Sequence, residues 1–205
     1  ASKAVKAGGN RARSALRGLE MNSEARMARA QEQGFDIEKV YYHGSDSPDI
    51  HSFAGDRGVA AHLTEDPNIA NQFAVARSHD TSGNPSSFWK EGDVAGTIYP
   101  VLVKGNFFDV RNPDHREMLP KQRKAFFEHN DFHIEPDWEM LEQGSRDIKN
   151  SGFDGYLDYD QEYYNRNNVS PTAIAVFSNK NIRSVNAPFD PATTNSTYMM
   201  GNKEI

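Results

Sequence analysis

Seven histidines, at positions 43, 51, 62, 79, 115, 129 and 133, are the first candidates in this sequence for metal binding and proton transfer. Two metal ligands on one helix face need a spacing such as four residues, which His129 and His133 have. The residues between them include Asp131 and Phe132 and indicate a helix end or a turn, and no HExxH sequence is present. We therefore predict surface or helix-capping histidines and no metal site.

Several common catalytic patterns are missing from the chain. It has no cysteine, which excludes disulfide scaffolds, thiolate zinc sites and thiol nucleophiles. It also lacks the GxSxG, GxxxxGK(S/T) and GxGxxG patterns of serine hydrolases, phosphate-binding loops and dinucleotide-binding folds. The segments left as candidates are His43-Gly44-Ser45, VAAHLT at 59–64 with the helix after it, and AIAVF at 173–177.

The elements that must position these segments are short strands dispersed among helices. Apolar runs predict strands at 40–42, 59–64, 97–103, 107–110, 155–158 and 172–177, the first of which enters a turn at His43-Gly44-Ser45. Helices are predicted from an N-cap at Ser23 to Gly34, from Pro67 through Phe73, and near 120–129 and 136–150. Because strands and helices do not alternate regularly, the pattern favours a mixed α+β fold over a doubly wound one.

Composition and charge limit the classes of function. The 205 residues include twelve Phe, eight Tyr and two Trp, enough for the core of one domain of ordinary size. The net charge is −6, but residues 1–18 carry five basic and no acidic side chains, which leaves −11 on residues 19–205. Residues 1–18 predict a basic flexible arm, either a solvated linker or an attractor of nucleic acid or of an acidic protein. No stretch approaches the roughly 20 apolar residues of a membrane span, so no membrane partner is expected.

Four blocks of the sequence carry a resemblance to a known family. They are VYYHGSDSPDIHSF at 40–53, GVAAHLTEDPNIANQFA at 58–74, SGFDGYLDY at 151–159, and AIAVFSNKNIRSVNAPFDP at 173–191. In this order they resemble ADP-ribosyltransferase-like domains of the His-Tyr-Glu group, which includes diphtheria toxin and the poly-ADP-ribose polymerases. The resemblance is closest to the branch in polyvalent phage and mobile-element proteins. It implies an α+β split β-sandwich with flanking helices and an NAD cleft over residues 35–190, after a helical lead-in at 19–34 and before a polar tail at 191–205.

The first block would anchor NAD, as the resemblance implies. His43 matches the histidine that hydrogen-bonds the adenosine-side ribose, and a neutral imidazole can both donate to and accept from a sugar hydroxyl. Gly44 matches the glycine whose bare backbone approaches the nicotinamide amide. Ser45 could reach the ribose. The alternatives are a strand-end histidine bonded to backbone, an ordinary turn glycine and a serine that stabilises the turn.

The second block would supply the walls around the nicotinamide ring. His62 stands where the family has an aromatic that stacks on nicotinamide, and Phe73, eleven residues later, matches the second wall. Imidazole can stack on a pyridinium ring only while it is neutral, because a protonated ring would repel the cation. Thr64 is near enough to offer a hydroxyl. The family's serine that binds the carboxamide falls at Ala70, and Phe73 could equally be a core residue.

The family's catalytic glutamate is absent from its usual place. Counting back four residues from Phe177 leads to Ala173. The nearest acids are Asp158, Asp160 and Glu162, of which Glu162 could fold back from the loop at 159–171 and act as the catalytic acid; solvated loop acids are the alternative. Asp154 matches a recurrent family motif, and we interpret it as a turn residue.

The resemblance predicts a phage-encoded mono-ADP-ribosyltransferase. It would use NAD as its substrate and transfer ADP-ribose to a host protein or a nucleic acid, in the host cytoplasm or in association with the virion. Two alternatives remain open from the sequence. One is a catalytically inactive binding module, which the missing glutamate favours. The other is a nucleic-acid-binding virion protein that acts through the basic arm and the loop tyrosines Tyr163 and Tyr164.

Overall fold

The computed structural model describes residues 18–45, 50–53, 60–76, 96–109, 111–121, 138–158 and 173–201. The helices are α1 (Ser23–Glu32), α2 (Pro67–Ala76), α3 (Pro113–Glu117) and α4 (Trp138–Asn150), with 3₁₀ turns at Asn179–Asn181 and Pro191–Thr193. The strands are β1 (Tyr41–Ser45), β2 (Ala61–Thr64), β3 (Thr97–Val103), β4 (Phe107–Phe108), β5 (Gly155–Asp158), β6 (Ala173–Val176) and β7 (Ile182–Ser184).

All seven strands belong to one curled sheet. Its order is β4-β5-β6-β2-β1-β3-β7. Every neighbouring pair is antiparallel except β4 and β5, which run parallel. The mixed α+β class expected from the sequence is confirmed.

The sheet is held together weakly at its middle. β1 and β2 have one register pair among their described residues, Tyr42 opposite Thr64. On either side of that junction the ladders are longer, with five register pairs between β1 and β3 and four between β2 and β6. The strands β4, β5, β6 and β2 therefore form one half of the sheet, and β1, β3 and β7 form the other. We call the gap beyond the Tyr42–Thr64 pair, toward Ser45 and Ala61, the β1–β2 split.

The two faces of the sheet are buried in different ways. One face carries a continuous apolar core to which all seven strands contribute, through Tyr41, Ala61, Leu63, Val101, Val103, Ile174, Val176, Ile182, Leu157, Tyr99 and Phe107. The other face is covered in separate patches: α4 and Leu119 lie over Phe108, Tyr156 and Ala175, whereas α1 and residues 185–189 lie over Leu102. A period of two along the strands produces this division, because successive side chains point to opposite faces.

Helix α2 crosses β1 at unusually close range. A Cβ atom on Gly44 would overlap the carbonyl oxygen of Ala70 and lie 2.9 Å from the backbone nitrogen of Ala74. Gly96, just before β3, meets the Cβ of Ala74 in the same way. Ala70 and Ala74 are four residues apart, on one side of α2, and both are fully buried. Four residues without long side chains thus let helix and strand backbones touch.

The structure changes the expected secondary structure at several places. His43, Gly44 and Ser45 are not in a turn: they continue β1 and pair with β3. The N-cap of α1 is Asn22 rather than Ser23, because the Asn22 side chain accepts the N–H of Ala25 at 2.8 Å. The helix does stop at Gly34, whose φ of +83° is the left-handed conformation typical of this position.

The remaining predicted elements match with small shifts of boundary. The strands expected at 97–103 and 155–158 have those bounds in the structure, and β2, β4 and β6 are shorter than expected. The helix expected at 136–150 is α4. The helix expected near 120–129 falls, except for its start, outside the described residues.

Residues 191–201, assigned from the sequence to a polar tail, are tied to the sheet. Met199 is buried in the main core, its N–H donates to the carbonyl of His51, and its carbonyl accepts the N–H of Ser184. Arg183, 2% exposed, points into this segment from β7. Its guanidinium donates to five backbone carbonyls, those of Asn179, Ile182, Thr193, Thr194 and Ser196, with the shortest distance 2.6 Å.

The close crossing of α2 and β1 predicts that Gly44→Ala is severely destabilising. The added methyl group collides with backbone atoms that no rotamer change can move, so we expect a loss of about 3 kcal/mol or more and a melting temperature lower by about 6–12 °C. Gly144→Ala is the matched control, because a Cβ there meets nothing within 4 Å in the middle of α4. That variant should gain about 0.5–1 kcal/mol. Equal melting temperatures for the two variants would contradict the crossing geometry.

Replacing Arg183 should release the C-terminal segment. Arg183→Met keeps the aliphatic bulk but leaves buried carbonyl oxygens without their donor, at a cost of about 2–4 kcal/mol. Limited proteolysis should then cut first between Thr193 and Gly201. Lys180→Met, at an exposed position three residues away, is the control and should melt as the wild type does. Protection of the segment in Arg183→Met would show that the clamp is unnecessary.

Candidate functional site

His43 lies at the β1–β2 split and bridges it. Its ring nitrogen Nδ1 is 3.0 Å from the backbone carbonyl oxygen of His62 on β2. A carbonyl can only accept, so Nδ1 carries the hydrogen and Nε2 is the acceptor of the neutral ring. The bond orients the imidazole at the place where the two halves of the sheet separate.

Two aromatic side chains that the sequence did not single out lie beside His43. The Phe53 ring meets the His43 ring edge-on with 4.7 Å between centroids, and the Tyr99 ring lies 6.0 Å beyond Phe53. All three rings are half-buried, and the Tyr99 hydroxyl accepts the N–H of Ile50 at 3.1 Å. Tyr99 is the register partner of His43, a relation visible only once β1 and β3 are paired.

Gly44 has a packing reason that is independent of any ligand. The direction in which its side chain would point is filled by the backbone of α2 at Ala70. Ala70, where the family's carboxamide-binding serine was sought, is 1% exposed beneath that crossing. Ser45 continues the strand opposite Thr97.

His62 and Thr64 lie on the second strand of the split, and their side chains differ in exposure. His62 is exposed, and its ring is edge-on to Tyr156 at 6.2 Å between centroids. Thr64 is 4% exposed, and its hydroxyl oxygen accepts the N–H of Asp66 at 3.2 Å at the start of α2. The hydroxyl that was expected to face a ligand thus caps a turn.

The rings of His43 and His62 face different sides of the sheet. His43 contacts Phe53, which packs on the main core, whereas His62 contacts Tyr156 in the cluster under α4. The structure therefore brings the two residues together through the His62 backbone and not through their rings. A ligand bound by both would have to pass through the split itself.

Of the predicted site residues, Phe73 and Glu162 lie partly or wholly outside the described part of the structure. Phe73 lies in α2, the helix that follows β2, but its side chain is outside the described part of the structure. Glu162 and Asp160 belong to 159–172, which also lies outside it. The proposed roles of these residues remain predictions.

Ala173, where the family has its glutamate, is the first residue of β6 and lies in line with the Tyr42–Thr64 register pair. Its register partners are Thr64 on β2 and Asp158 on β5. The sheet row therefore runs Tyr42, Thr64, Ala173, Asp158. On this face His62 is exposed and Ala173 half-buried, whereas Thr64 and Ala175, their neighbours in the same strands, are buried.

The described charges near the split are mostly engaged in the fold. Lys39 and Glu65 form an ion pair at 2.9 Å, and its hydrogen bond is the main reason that the pKa of Lys39 is raised. Burial raises the pKa of Tyr41. At the far end of β3, burial and, next, the charge of Arg183 lower the pKa of Lys104, which lies 4.8 Å above the Phe35 ring. In the described ranges no group of His, Asp and Glu has a metal-binding arrangement.

Asp154 is a structural centre, as the sequence suggested. Its two carboxylate oxygens accept from the backbone N–H of Asn106 and from the side-chain amide of Asn181, both at 2.9 Å. Its backbone bonds to Asn106 and Phe177. The side chain also fills the space above Gly105, whose φ is +138°. Asp154 thus joins the turn before β4, the start of β5 and the end of β6.

Comparisons with known proteins found no match for this chain, either among models of protein families or among curated proteins and solved structures. Functional assignment therefore rests on the geometry of the split and on the sequence blocks. Among the described helices, none has the length and apolar character needed to cross a membrane.

The bonds of Asp154 predict a stability effect that is separate from any activity. Asp154→Asn can still accept one hydrogen bond, but its amide group then faces a second donor, at a cost of about 1–3 kcal/mol. We expect a lower midpoint in urea unfolding. Glu38→Gln, which makes the same chemical change at an exposed position, should leave the midpoint in place. If both variants unfold at the wild-type midpoint, the carboxylate does not stabilise this junction.

Proposed function

We propose that the protein is a mono-ADP-ribosyltransferase that cleaves NAD at the bond between nicotinamide and ribose. The observation that carries the proposal is the division of the sheet at one register pair, with His43 bridging the division. The sequence resemblance implies an NAD cleft between two small sheets, and a sheet split at this strand end is the form such a cleft would take. The proposed acceptor is a host protein or a nucleic acid, as for the phage-encoded domains that the sequence resembles.

The orientation of His43 supports a role in ribose binding. With its hydrogen on Nδ1 bonded to the His62 carbonyl, a neutral ring would accept a hydrogen bond through Nε2. A ribose hydroxyl can donate to such a nitrogen. Because the bond to His62 already fixes the ring, little conformational entropy is lost when a sugar binds.

The proposed reaction breaks the bond that joins the positively charged nicotinamide ring of NAD to ribose. The bond between C1′ and the pyridinium nitrogen breaks, and its electron pair leaves with nicotinamide, which becomes neutral. The positive charge passes to the ribose as an oxocarbenium-like transition state. The acceptor then bonds to C1′ and releases a proton; with water as the acceptor the products are nicotinamide and ADP-ribose. A nearby carboxylate would stabilise the developing charge.

The exposed ring of His62 is suited to the leaving group. Imidazole can stack on the flat pyridinium, and His62 is exposed on the strand at the split. The stacking holds only for the neutral ring, since a protonated His62 would repel the cation. Phe73, on the helix after β2, is the proposed second wall.

The main rival is an inactive module that retains the shape of the family. Ala173 is the specific observation in its favour, because no carboxylate stands at the family's position on β6. An inactive module would either bind NAD without cleaving it or neither bind nor cleave NAD. The difference is measurable in one assay.

The test is the release of nicotinamide from labelled NAD, with and without a bacterial lysate that supplies acceptors. We expect release by the wild type, transfer of label to a lysate component, and a rise in melting temperature with NAD. His43→Ala should lower kcat/KM about 10- to 100-fold, the loss of one hydrogen bond to ribose. His51→Ala is the matched control, since it removes an imidazole whose side chain is exposed.

Each outcome of the assay has a defined meaning. A wild type that releases no nicotinamide and shows no thermal shift with NAD refutes the enzyme. A thermal shift without cleavage favours the inactive module. Unchanged activity in His43→Ala would remove the role given to His43.

A further inference from the structure

Asp158 occupies a special place in the sheet. It is the last residue of β5 and the register partner of Ala173 on β6. Direct register partners in an antiparallel ladder belong to the same face of the sheet, about 5 Å apart. The backbone register alone gives this placement, since the Asp158 side chain lies outside the described part of the structure. Ala173 stands where the family has its glutamate, and its register partner Asp158 is an acid. Asp158 lies on β5, in the same row as Tyr42, Thr64 and Ala173.

The other described acids around the split already have structural partners. Glu65 is in the ion pair with Lys39. Asp66 accepts the backbone N–H of Asn68 at 2.8 Å and thereby caps α2. Both oxygens of Asp154 are bonded, to Asn106 and Asn181. Each of these three would have to break a bond described here to turn toward a ligand.

The side chain between Asp158 and Thr64 in this row is small. Ala173 separates Asp158 from Thr64, and a methyl group there leaves the space that a glutamate would fill. Thr64 is buried, and its hydroxyl oxygen accepts the N–H of Asp66. A substrate can therefore come closer to β6 than it could over a longer side chain.

We propose that Asp158 supplies the carboxylate that stabilises the oxocarbenium-like transition state, in place of a glutamate at position 173. The inference rests on the proposed NAD cleavage and assigns its acid. The electron pair of the broken bond leaves with nicotinamide, and the carboxylate of Asp158 stabilises the charge left on the ribose until the acceptor bonds to C1′ and gives up its proton. Asp158 thus takes the role considered above for Glu162.

The experiment separates binding from chemistry. Asp158→Asn should lower kcat for nicotinamide release about 100-fold or more, while the NAD-induced thermal shift is kept. Adding Ala173→Glu to that variant should restore kcat to within about tenfold of the wild type, because the carboxylate returns to the neighbouring position of the row. Asp114→Asn, an exposed acid at the start of α3, is the control for the chemical change. A merely structural Asp158 would not be rescued from the next strand.

Three results would overturn the inference. The first is wild-type kcat in Asp158→Asn. The second is loss of kcat in Glu162→Gln with Asp158→Asn unaffected. The third uses Ala173→Glu alone, in case Asp158→Asn does not fold. We expect that variant to change kcat less than tenfold. A 100-fold gain in kcat would show that the wild type has no carboxylate in place. A wild type that neither binds nor cleaves NAD is a different failure, which removes the proposed function and this inference with it.

Discussion

The contact between the backbones of α2 and β1 is the constraint on which the rest of the site depends. It exists because Gly44 and Gly96 have no side chain and Ala70 and Ala74 have only a methyl group. A longer side chain at Gly44 would push the helix away, and α2 comes soon after β2 in the chain. The crossing therefore fixes the distance between β1 and the end of β2, and with it the single register pair at Tyr42.

Because β1 is held against α2 and β3, β2 belongs mainly to the other half of the sheet. Beyond Tyr42, β1 pairs with β3 as far as Ser45, while β2 pairs with β6 over its whole length. At the gap, β1 therefore belongs to the ladder with β3, and β2 to the ladder with β6. His43 joins the two ladders by a side-chain hydrogen bond to the His62 carbonyl. A sheet built this way can accommodate a ligand at its middle without losing either ladder.

The sequence predicted the elements well where local pattern decides them, as for Thr97–Val103 and Gly155–Asp158. It failed where a distant partner decides. His43-Gly44-Ser45 has the composition of a turn, and only α2 explains a glycine within a strand. The contact of Phe53 with His43 and the register of Asp158 against Ala173 join residues at least ten positions apart. No local signal reports such pairings, because register is fixed by tertiary packing.

The structure gives several of the family-like motifs a role in stability. Gly44 is required by the crossing, Thr64 stabilises the turn before α2, and Asp154 joins the turn before β4 to β5 and the end of β6, so each is explained without a ligand. His62 differs from them, because its ring is exposed. The same is true of the row through Ala173, where a small residue stands half-buried on an otherwise covered sheet. The proposed chemistry would therefore depend on few side chains among the described residues.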